Sequence, residues 1–324
     1  MHVSPSVRAV QVPDTSPMHP QFTTIYLVGR GQVLTVDSGE DAERYRWMLR
    51  GYLAATEKAE IGQSVVTHSH PDHSANLRWL HDEFDAQLHV PRATAPLLRD
   101  RLPADGVKLL DDGDEVSPGG GLRLRVIHTP GHSLDSVCFY LEDEGVLFTG
   151  DTVLGASTTT VNDVADYQAT LQRLRALPNL RVICPGHGPI IDDPIDWLDY
   201  CLRHRQERED LIVAALIEGG ALTSWQITEK LYVDLDPRLL RLADANVRAH
   251  LRKLEKEGRL KVQPGTPRPR PAASLAQMQA EERERQEVIR KAEEYREQAR
   301  RRALFFMEGL PPEDWEEPPR FELS

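Results

Sequence analysis

Residues 67–73, Thr-His-Ser-His-Pro-Asp-His, limit what this chain can fold into more than any other segment. They follow the apolar run 64–66, which ends in the manner of a β-strand. On a turn leaving a strand, the alternating His68 and His70 can point to one place, while Asp72 and His73 point to a second place beside it. Imidazole and carboxylate suit zinc, or less often iron or manganese, and metal pairs about 3.5–4 Å apart perform hydrolysis. The segment therefore predicts a site for two adjacent metal ions.

Three further positions extend this pattern: His132, Asp151 and His187. Each follows a β-type run and has a glycine as its immediate neighbour, so all three are expected at one edge of a sheet, where the backbone must turn sharply. The alternative for residues 67–73 alone is a histidine-rich surface loop. The ordered set of seven residues disfavours that alternative.

This ordered series resembles the metallo-β-lactamase superfamily, whose HxHxDH signature is followed by a His, an Asp and a His on successive strand ends. The resemblance covers about residues 20–200. It implies an α/β fold, a four-layer αββα sandwich, with two zinc ions per chain and iron or manganese as alternatives. One ion is expected on His68, His70 and His132, and the second on Asp72, His73 and His187. Asp151 is expected to bridge them, and Asp37, in an Asp-x-Gly turn typical of the family, to support the site from behind.

A metal-activated hydroxide at such a site is expected to attack an electrophilic carbonyl or phosphorus, with Asp72 as the catalytic residue that orients the water and accepts its proton. Residues 150–155 and the Thr-rich segment after them, together with the C-terminal module, resemble the β-lactamase-like-protein-2 branch. That branch includes a zinc endoribonuclease acting on single strands and fungal thioesterases that release polyketides from acyl carrier protein. All seven ligands are present, which disfavours a persulfide dioxygenase and a binding module without enzymatic activity.

The charge distribution bears on the substrate. The net charge is −12, and residues 1–202 carry 28 acidic against 16 basic side chains, whereas residues 203–262 carry 10 against 12. A polyanion-binding protein is expected to have a basic face, so nucleic acid stays open but less favoured. A small-molecule or carrier-bound acyl (thio)ester, including hydroxyacylglutathione-like thioesters, is the favoured substrate. A single-strand endoribonuclease is the alternative. The hydroxyls of Ser157 and Thr158 are expected either to contact substrate or to cap a turn.

The chain divides into three parts in this interpretation: a catalytic domain at 1–202, a winged-helix-like domain at 203–264, and a Pro-rich linker with a charged helix and tail at 265–324. Helices at 204–217, 223–232 and 237–257 followed by a strand at 260–262 resemble a winged helix. Acidic residues among the arginines of its third helix favour a role in covering the substrate cleft over DNA reading. The helix at about 275–304 either docks on the body or a partner, or is solvated and followed by a frayed tail around Trp315.

Local patterns place further elements. Residues 22–27 and 33–36 are expected to pair as a hairpin, residues 41–56 to form a helix, and Ser74 or Asp72 to cap a helix reaching Phe84. His81 and His89 lie off the motif frame and are expected to be surface or packing histidines.

The sequence also bears on compartment. The first residues lack a charged segment followed by an apolar core, and no run approaches the roughly 20 apolar residues of a membrane span. Three cysteines without a CxxC pattern suit a reducing compartment. We therefore expect a cytoplasmic enzyme without a membrane partner, and leave homo-oligomerisation open.

Overall fold

Residues 1–14, 21–56, 59–267, 315–317 and 319–323 are described by the computed structural model. The chain divides into two units, Met1–Glu207 and Arg208–Ser324. The first unit begins with seven strands and four helices: β1 (His2–Ser4), β2 (Val7–Asp14), β3 (Gln21–Val28), β4 (Gln32–Val36), α1 (Glu43–Thr56), β5 (Glu60–Val65), α2 (Pro71–Ser74), α3 (Leu77–Phe84), β6 (Gln87–Pro91), α4 (Ala95–Leu98) and β7 (Val107–Leu110). The seven strands form one sheet in chain order, antiparallel from β1 to β4 and parallel from β4 to β7.

A second sheet follows in the chain. It contains β8 (Glu115–Gly119), β9 (Leu122–His128), β10 (Val137–Leu141), β11 (Val146–Gly150) and, after helix α5 (Val164–Arg175), β12 (Val182–Pro185). Its strand order is β12-β11-β10-β9-β8, with β11 and β12 parallel and the remaining pairs antiparallel. Helix α6 (Pro194–Gly219) begins in the first unit and ends in the second.

The main core lies between the two sheets. Val7, Tyr26 and Val65 from the first sheet pack with Phe139 and Phe148 from the second, and all are at most 2% exposed. On the outer face of the first sheet, a second cluster includes Ile25 and Leu27 from β3 and Leu49 from α1. Because side chains alternate along a strand, β2, β3, β4 and β5 each supply residues to both clusters. The predicted four-layer αββα sandwich is confirmed.

Two strands at the N-terminus were not anticipated. β2 pairs with β3 along its whole length, from Val7↔Val28 to Asp14↔Gln21. From Val7 to Val12 residues on both faces of β2 are buried, so this part of the sequence lacks the apolar and polar alternation that identifies a half-exposed strand. The predicted hairpin is confirmed, because Tyr26, Leu27 and Val28 pair with Val36, Thr35 and Leu34.

The capping prediction after the histidine segment is wrong. Pro71 opens the short helix α2, and Ser74 at its end donates its hydroxyl to the carbonyl oxygens of Ser69 and His70, at 3.0 and 2.8 Å. Asn76 precedes α3 without a side-chain cap hydrogen bond. A serine hydroxyl that bonds back four residues satisfies itself within the first helix and cannot cap the next one.

The second unit contains the end of α6, then β13 (Leu222–Thr223), α7 (Ser224–Leu231), α8 (Leu240–Lys256), β14 (Leu260–Gln263), β15 (Thr266–Pro267), β16 (Trp315–Glu317) and β17 (Arg320–Leu323). Thr223 and Gln226 form a capping box at the start of α7, each accepting a backbone N–H from the other. Ile212, Ile227, Val247 and Leu251 are at the centre of its apolar core. The predicted winged helix is confirmed, although its first helix belongs to the longer α6.

The C-terminal tail supplies a strand of this unit. β17 lies between β13 and β14 in a three-stranded sheet, and Phe321 is buried in the apolar core. Trp315–Glu317 pairs with Thr266–Pro267. The alternative of a frayed tail is therefore wrong for these residues, whose partners lie far away in sequence. The predicted helix at 275–304 lies outside the described residues.

None of the helices within the described ranges combines the length and apolar character needed to cross a membrane.

Candidate metal centre

The candidate donors follow strand ends at one edge of the two sheets. His68 follows β5, His132 follows β9, Asp151 follows β11 and His187 follows β12. The backbone ties these ends together: the N–H of Gly186 donates to the carbonyl of Gly150, and the N–H of Val137 donates to the carbonyl of Thr67, at 2.8 and 2.9 Å. The fold therefore brings residues distant in sequence to one place.

Two of the neighbouring glycines are required by close approach. A Cβ on Gly150, whose φ is +48°, would lie 2.4 Å from Oγ1 of Thr67, and a Cβ on Gly186 would lie 2.5 Å from Cε1 of His73. Contacts this short do not occur between real atoms, so any side chain at Gly150 or Gly186 would displace Thr67 or His73. Glycine is therefore the residue that fits at both positions.

The seven predicted residues come together in two groups, with ligand atoms within 4.8 Å of one another in each. The first group contains His68, His70, His132 and Asp151, and the second contains Asp72, His73, Asp151 and His187. Asp151 belongs to both: Oδ2 lies 3.7 Å from Nε2 of His132, while Oδ1 lies 3.1 Å from Nε2 of His73 and 3.3 Å from Nε2 of His187. One carboxylate thus faces two adjacent groups with its two oxygens.

Asp37 supports the second group from behind. Its Oδ2 accepts a hydrogen bond from Nδ1 of His73 at 2.7 Å, and its Oδ1 accepts one from the backbone N–H of Thr67 at 2.7 Å. The residue adopts a left-handed conformation, with φ at 65°, and is buried. Asp37 therefore orients His73 and the segment before His68 together.

The outer ring nitrogen of three donor histidines contacts the protein. Nδ1 of His73 donates to Asp37, and Nδ1 of His132 donates to the carbonyl of Thr160 at 2.9 Å. Nδ1 of His187 lies 3.3 Å from the carbonyl oxygen of Phe22. A carbonyl or carboxylate can only accept, so these contacts place a proton on Nδ1 of His73 and His132 and leave Nε2 of each ring facing the centre.

The electrostatics of the cluster favour a cation. Burial lowers the pKa of His73, but the carboxylates of Asp151, Asp72 and Asp37 raise it further, so it ends well above its usual value. Burial raises the pKa of Asp151, yet His187, His73 and His132 bring it well below the usual range. Burial, followed by the charge of His73, lowers the pKa of His68.

The residues fit a metal pair. Nε2 of His73 and Oδ1 of Asp151 are buried and lie 3.1 Å apart, but their orientation does not form a hydrogen bond, and neither atom has another hydrogen-bond partner among the described residues. A buried polar atom without a partner is costly, and a bound cation would satisfy both atoms at once. The donors are imidazoles and carboxylates, the ligand types that divalent zinc, iron and manganese accept.

Two residues at the site, Asp135 and Arg101, were not predicted from the sequence. The peptide group of Ser69, between His68 and His70, is held from both sides: its N–H donates to Oδ2 of Asp135 at 2.8 Å, and its carbonyl accepts from Nη1 of Arg101 at 2.5 Å. Asp135 lies three residues after His132, and that proximity was the one available signal. Arg101 carried no signal, because its approach depends on the tertiary fold.

The remaining predicted positions are placed as follows. Ser157 is exposed and Thr158 half-buried, both in the loop that starts after Asp151. His81 lies 3.1 Å from the carbonyl of Ala86, and His89 lies 2.8 Å from Oε1 of Gln63. Neither histidine belongs to the two donor groups.

Residues 19–187 match the family model described as "Metallo-beta-lactamase superfamily", and residues 223–265 match "Beta-lactamase associated winged helix domain". A "Beta-lactamase-like protein 2 homolog" of Caenorhabditis elegans is 36% identical over 262 residues, which cover 79% of this chain and 86% of that protein. An "Atrochrysone carboxyl ACP thioesterase" of Aspergillus fumigatus is 34% identical over 216 residues, 66% of each chain.

The fold also matches solved structures. A metallo-beta-lactamase family protein of Thermus thermophilus superposes with a TM-score of 0.67 at 26% identity, covering 80% of this chain and 96% of that one.

Proposed function

This chain belongs to the metallo-beta-lactamase superfamily, and we propose that it hydrolyses acyl thioesters at a centre of two zinc ions. The superfamily assignment makes it a hydrolase with a His/Asp cluster able to bind metal. The observation that carries the two-metal proposal is the position of Asp151, whose two oxygens face different donor groups. Zinc is proposed because these donors are its usual oxygen and nitrogen ligands, with iron or manganese as alternatives.

Two zinc ions here would polarise a carbonyl and lower the pKa of a water molecule to about 7. The chain's own residues do the rest. Asp72 is only 13% exposed at its side chain, and its Oδ2 lies 3.0 Å from Nε2 of His187 and 3.4 Å from Nε2 of His73. Its carboxylate therefore lies beside the other donors of the second group and is partly exposed, and in this position it orients the attacking water and accepts its proton.

A cysteine nucleophile is not part of the proposal. Cys138, Cys184 and Cys201 are all buried. Burial raises the pKa of Cys138 to about 12 and that of Cys201 to about 11 and also raises the pKa of Cys184. None of the three thiols is poised to form the thiolate that attacks a substrate.

The substrate class is proposed from two sources. The Aspergillus relative is a thioesterase acting on an acyl carrier protein, by its name. The acidic balance of residues 1–202 suits an acyl substrate better than a polyanion. A thioester of a small molecule, such as a hydroxyacylglutathione, or of a carrier protein is therefore the proposed substrate, with Ser157 and Thr158 as candidate contacts.

One observation favours a second candidate, a single-strand ribonuclease. On α6, the rings of Trp197 and Tyr200 lie 5.1 Å apart, and those of Tyr200 and His204 lie 6.0 Å apart. Nε1 of Trp197 donates to the carbonyl of Leu154, in the loop that follows Asp151. Tyr200 is 41% exposed, and nucleic-acid bases stack on exposed aromatic rings of this kind.

Parallel turnover assays distinguish the two candidates. Zinc-loaded protein is supplied with a panel of acyl thioesters and, separately, with labelled single-stranded RNA. We expect thioester turnover that Asp72→Ala abolishes and Tyr200→Ala leaves intact. RNA cleavage that Tyr200→Ala weakens, without thioester turnover, would replace the proposal with the ribonuclease.

A further inference from the structure

Arg205 is a charged side chain that the fold buries almost completely. Only 2% of its surface is exposed, and it is among the largest fully buried side chains of the described residues. A guanidinium keeps its charge at any physiological pH, and burying a charge is costly unless acceptors surround it. Its surroundings therefore indicate what it holds in place.

The guanidinium lies 5.2 Å from the centre of the Tyr167 ring, and Nη2 donates to the carbonyl oxygen of Thr159. The hydroxyl of Tyr167 donates to the carbonyl of Thr152 at 2.9 Å. Tyr167 therefore bonds the first residue of the loop 152–160, and Arg205 bonds a residue near its end. That loop begins directly after Asp151, the carboxylate shared by the two donor groups.

The last residues of the loop contact a candidate metal ligand. Nδ1 of His132 donates to the carbonyl of Thr160 at 2.9 Å and lies 3.0 Å from the hydroxyl of Thr159. Nε2 of the same ring faces inward, 3.2 Å from Nδ1 of His70. The orientation of His132 thus depends on where the loop holds its carbonyl, and Arg205 holds the residue next to it.

We propose that Arg205 is a positioning residue that sets the orientation of His132 through Thr159, and with it the metal affinity of the first donor group. Partners behind a ligand histidine typically change metal affinity 10–100-fold when removed. Arg205 acts one contact further out, so we expect about a 10-fold effect. The inference rests on the metal-binding part of the proposed function and is independent of the substrate.

Stepwise zinc affinities of the metal-free protein, measured by chelator competition, test this inference. Arg205→Met should weaken one of two affinities about 10-fold and leave the other within about two-fold. Arg205→Lys, which keeps the charge and a donor, should recover part of the loss. Arg203→Met, on an exposed arginine of the same helix, is the matched control and should change neither affinity.

A second readout uses no metal. In metal-free protein labelled with ¹⁵N-histidine, nuclear magnetic resonance should find His132 protonated on Nδ1 in the wild type and as a mixture of tautomers in Arg205→Met. If that variant does not fold, Arg205→Gln takes its place in both experiments. Unchanged affinities and an unchanged His132 tautomer would overturn the inference, as would an equal loss at both sites accompanied by a lower melting temperature.

The two proposals fail separately. If the wild-type protein binds no zinc, the proposed function is wrong, and the tautomer of His132 still decides whether Arg205 positions it.

Discussion

Asp37→Asn should weaken metal binding by one donor group, because it moves the proton of the His73 ring from Nδ1 to Nε2. The carboxylate now accepts from the backbone N–H of Thr67 through Oδ1 and from Nδ1 of His73 through Oδ2. Asparagine has only one oxygen, and the N–H of Thr67 requires it, so the amide nitrogen takes the position facing His73. His73 must then accept at Nδ1 and carry its proton on Nε2, 3.1 Å from Oδ1 of Asp151. The lone pair that a metal needs is lost.

The expected magnitude follows from this exchange. Loss of the partner behind a ligand histidine costs about 10–100-fold in metal affinity, equivalent to about 1.4–2.7 kcal/mol. The asparagine oxygen keeps the N–H of Thr67, and the hydroxyl of Thr67, which donates to Oδ2 at 3.0 Å, can accept from the amide instead. The loss should therefore fall mainly on the group that contains Asp72, His73 and His187. Chelator competition with zinc should therefore yield one affinity close to that of the wild type and one reduced affinity.

A matched control separates this effect from backbone strain. Asp85 also adopts a left-handed conformation, with φ at 53°, but is exposed. Asp85→Asn makes the same chemical change on a similar backbone, and both zinc affinities should stay unchanged. The reasoning is refuted if Asp37→Asn binds both ions as tightly as the wild type, or if it loses both ions equally.

Three further predictions concern other residues. Asp72→Ala should lower kcat by about 10²–10⁴ with little change in KM and an unchanged circular dichroism spectrum; a kcat within a few-fold of wild type would remove Asp72 from the proposed chemistry. Glu209→Ala removes a carboxylate, 2% exposed, that holds Lys253 at 2.7 Å and Arg259 at 2.6 Å. The free energy of unfolding in urea should fall by about 3 kcal/mol, and no loss would mean that the exposed part of the network compensates. Burial, with a smaller effect of Lys108, lowers the pKa of His89 from 6.5 to about 4. Between these two pH values the unfolded state binds a proton that the folded state does not bind. The contribution of His89 to the free energy of unfolding is therefore present above pH 6.5 and is lost as pH falls towards 4. In His89→Gln, the free energy of unfolding should depend less steeply on pH in this range.

The sequence was informative where function depends on local chemistry at strand ends. His68, His132 and Asp151 could be grouped because each follows a strand-like run and has small or turn-forming neighbours. Asp37 was placed through its Asp-x-Gly turn. These residues retain a local pattern because the strand geometry and the chemistry both constrain them.

The sequence was uninformative where tertiary packing decides. β17 lies between strands whose residues precede it by about 60 and 100 positions, and no local pattern predicts such a pairing. Arg205 lies in a run of charged residues, which is typical of a solvated helix face, yet it is buried on Tyr167. Arg101 reaches Ser69 only because the fold brings the two together.

Titration of the metal-free protein with zinc, with thioester turnover recorded at each addition, tests the central claim most directly. The two donor groups share Asp151, so we expect turnover to rise until about two equivalents of zinc are bound per chain and then to remain constant. Full turnover at one equivalent, with no second ion bound, would contradict the two-metal centre. Two bound ions without turnover of any acyl thioester would contradict the proposed substrate class.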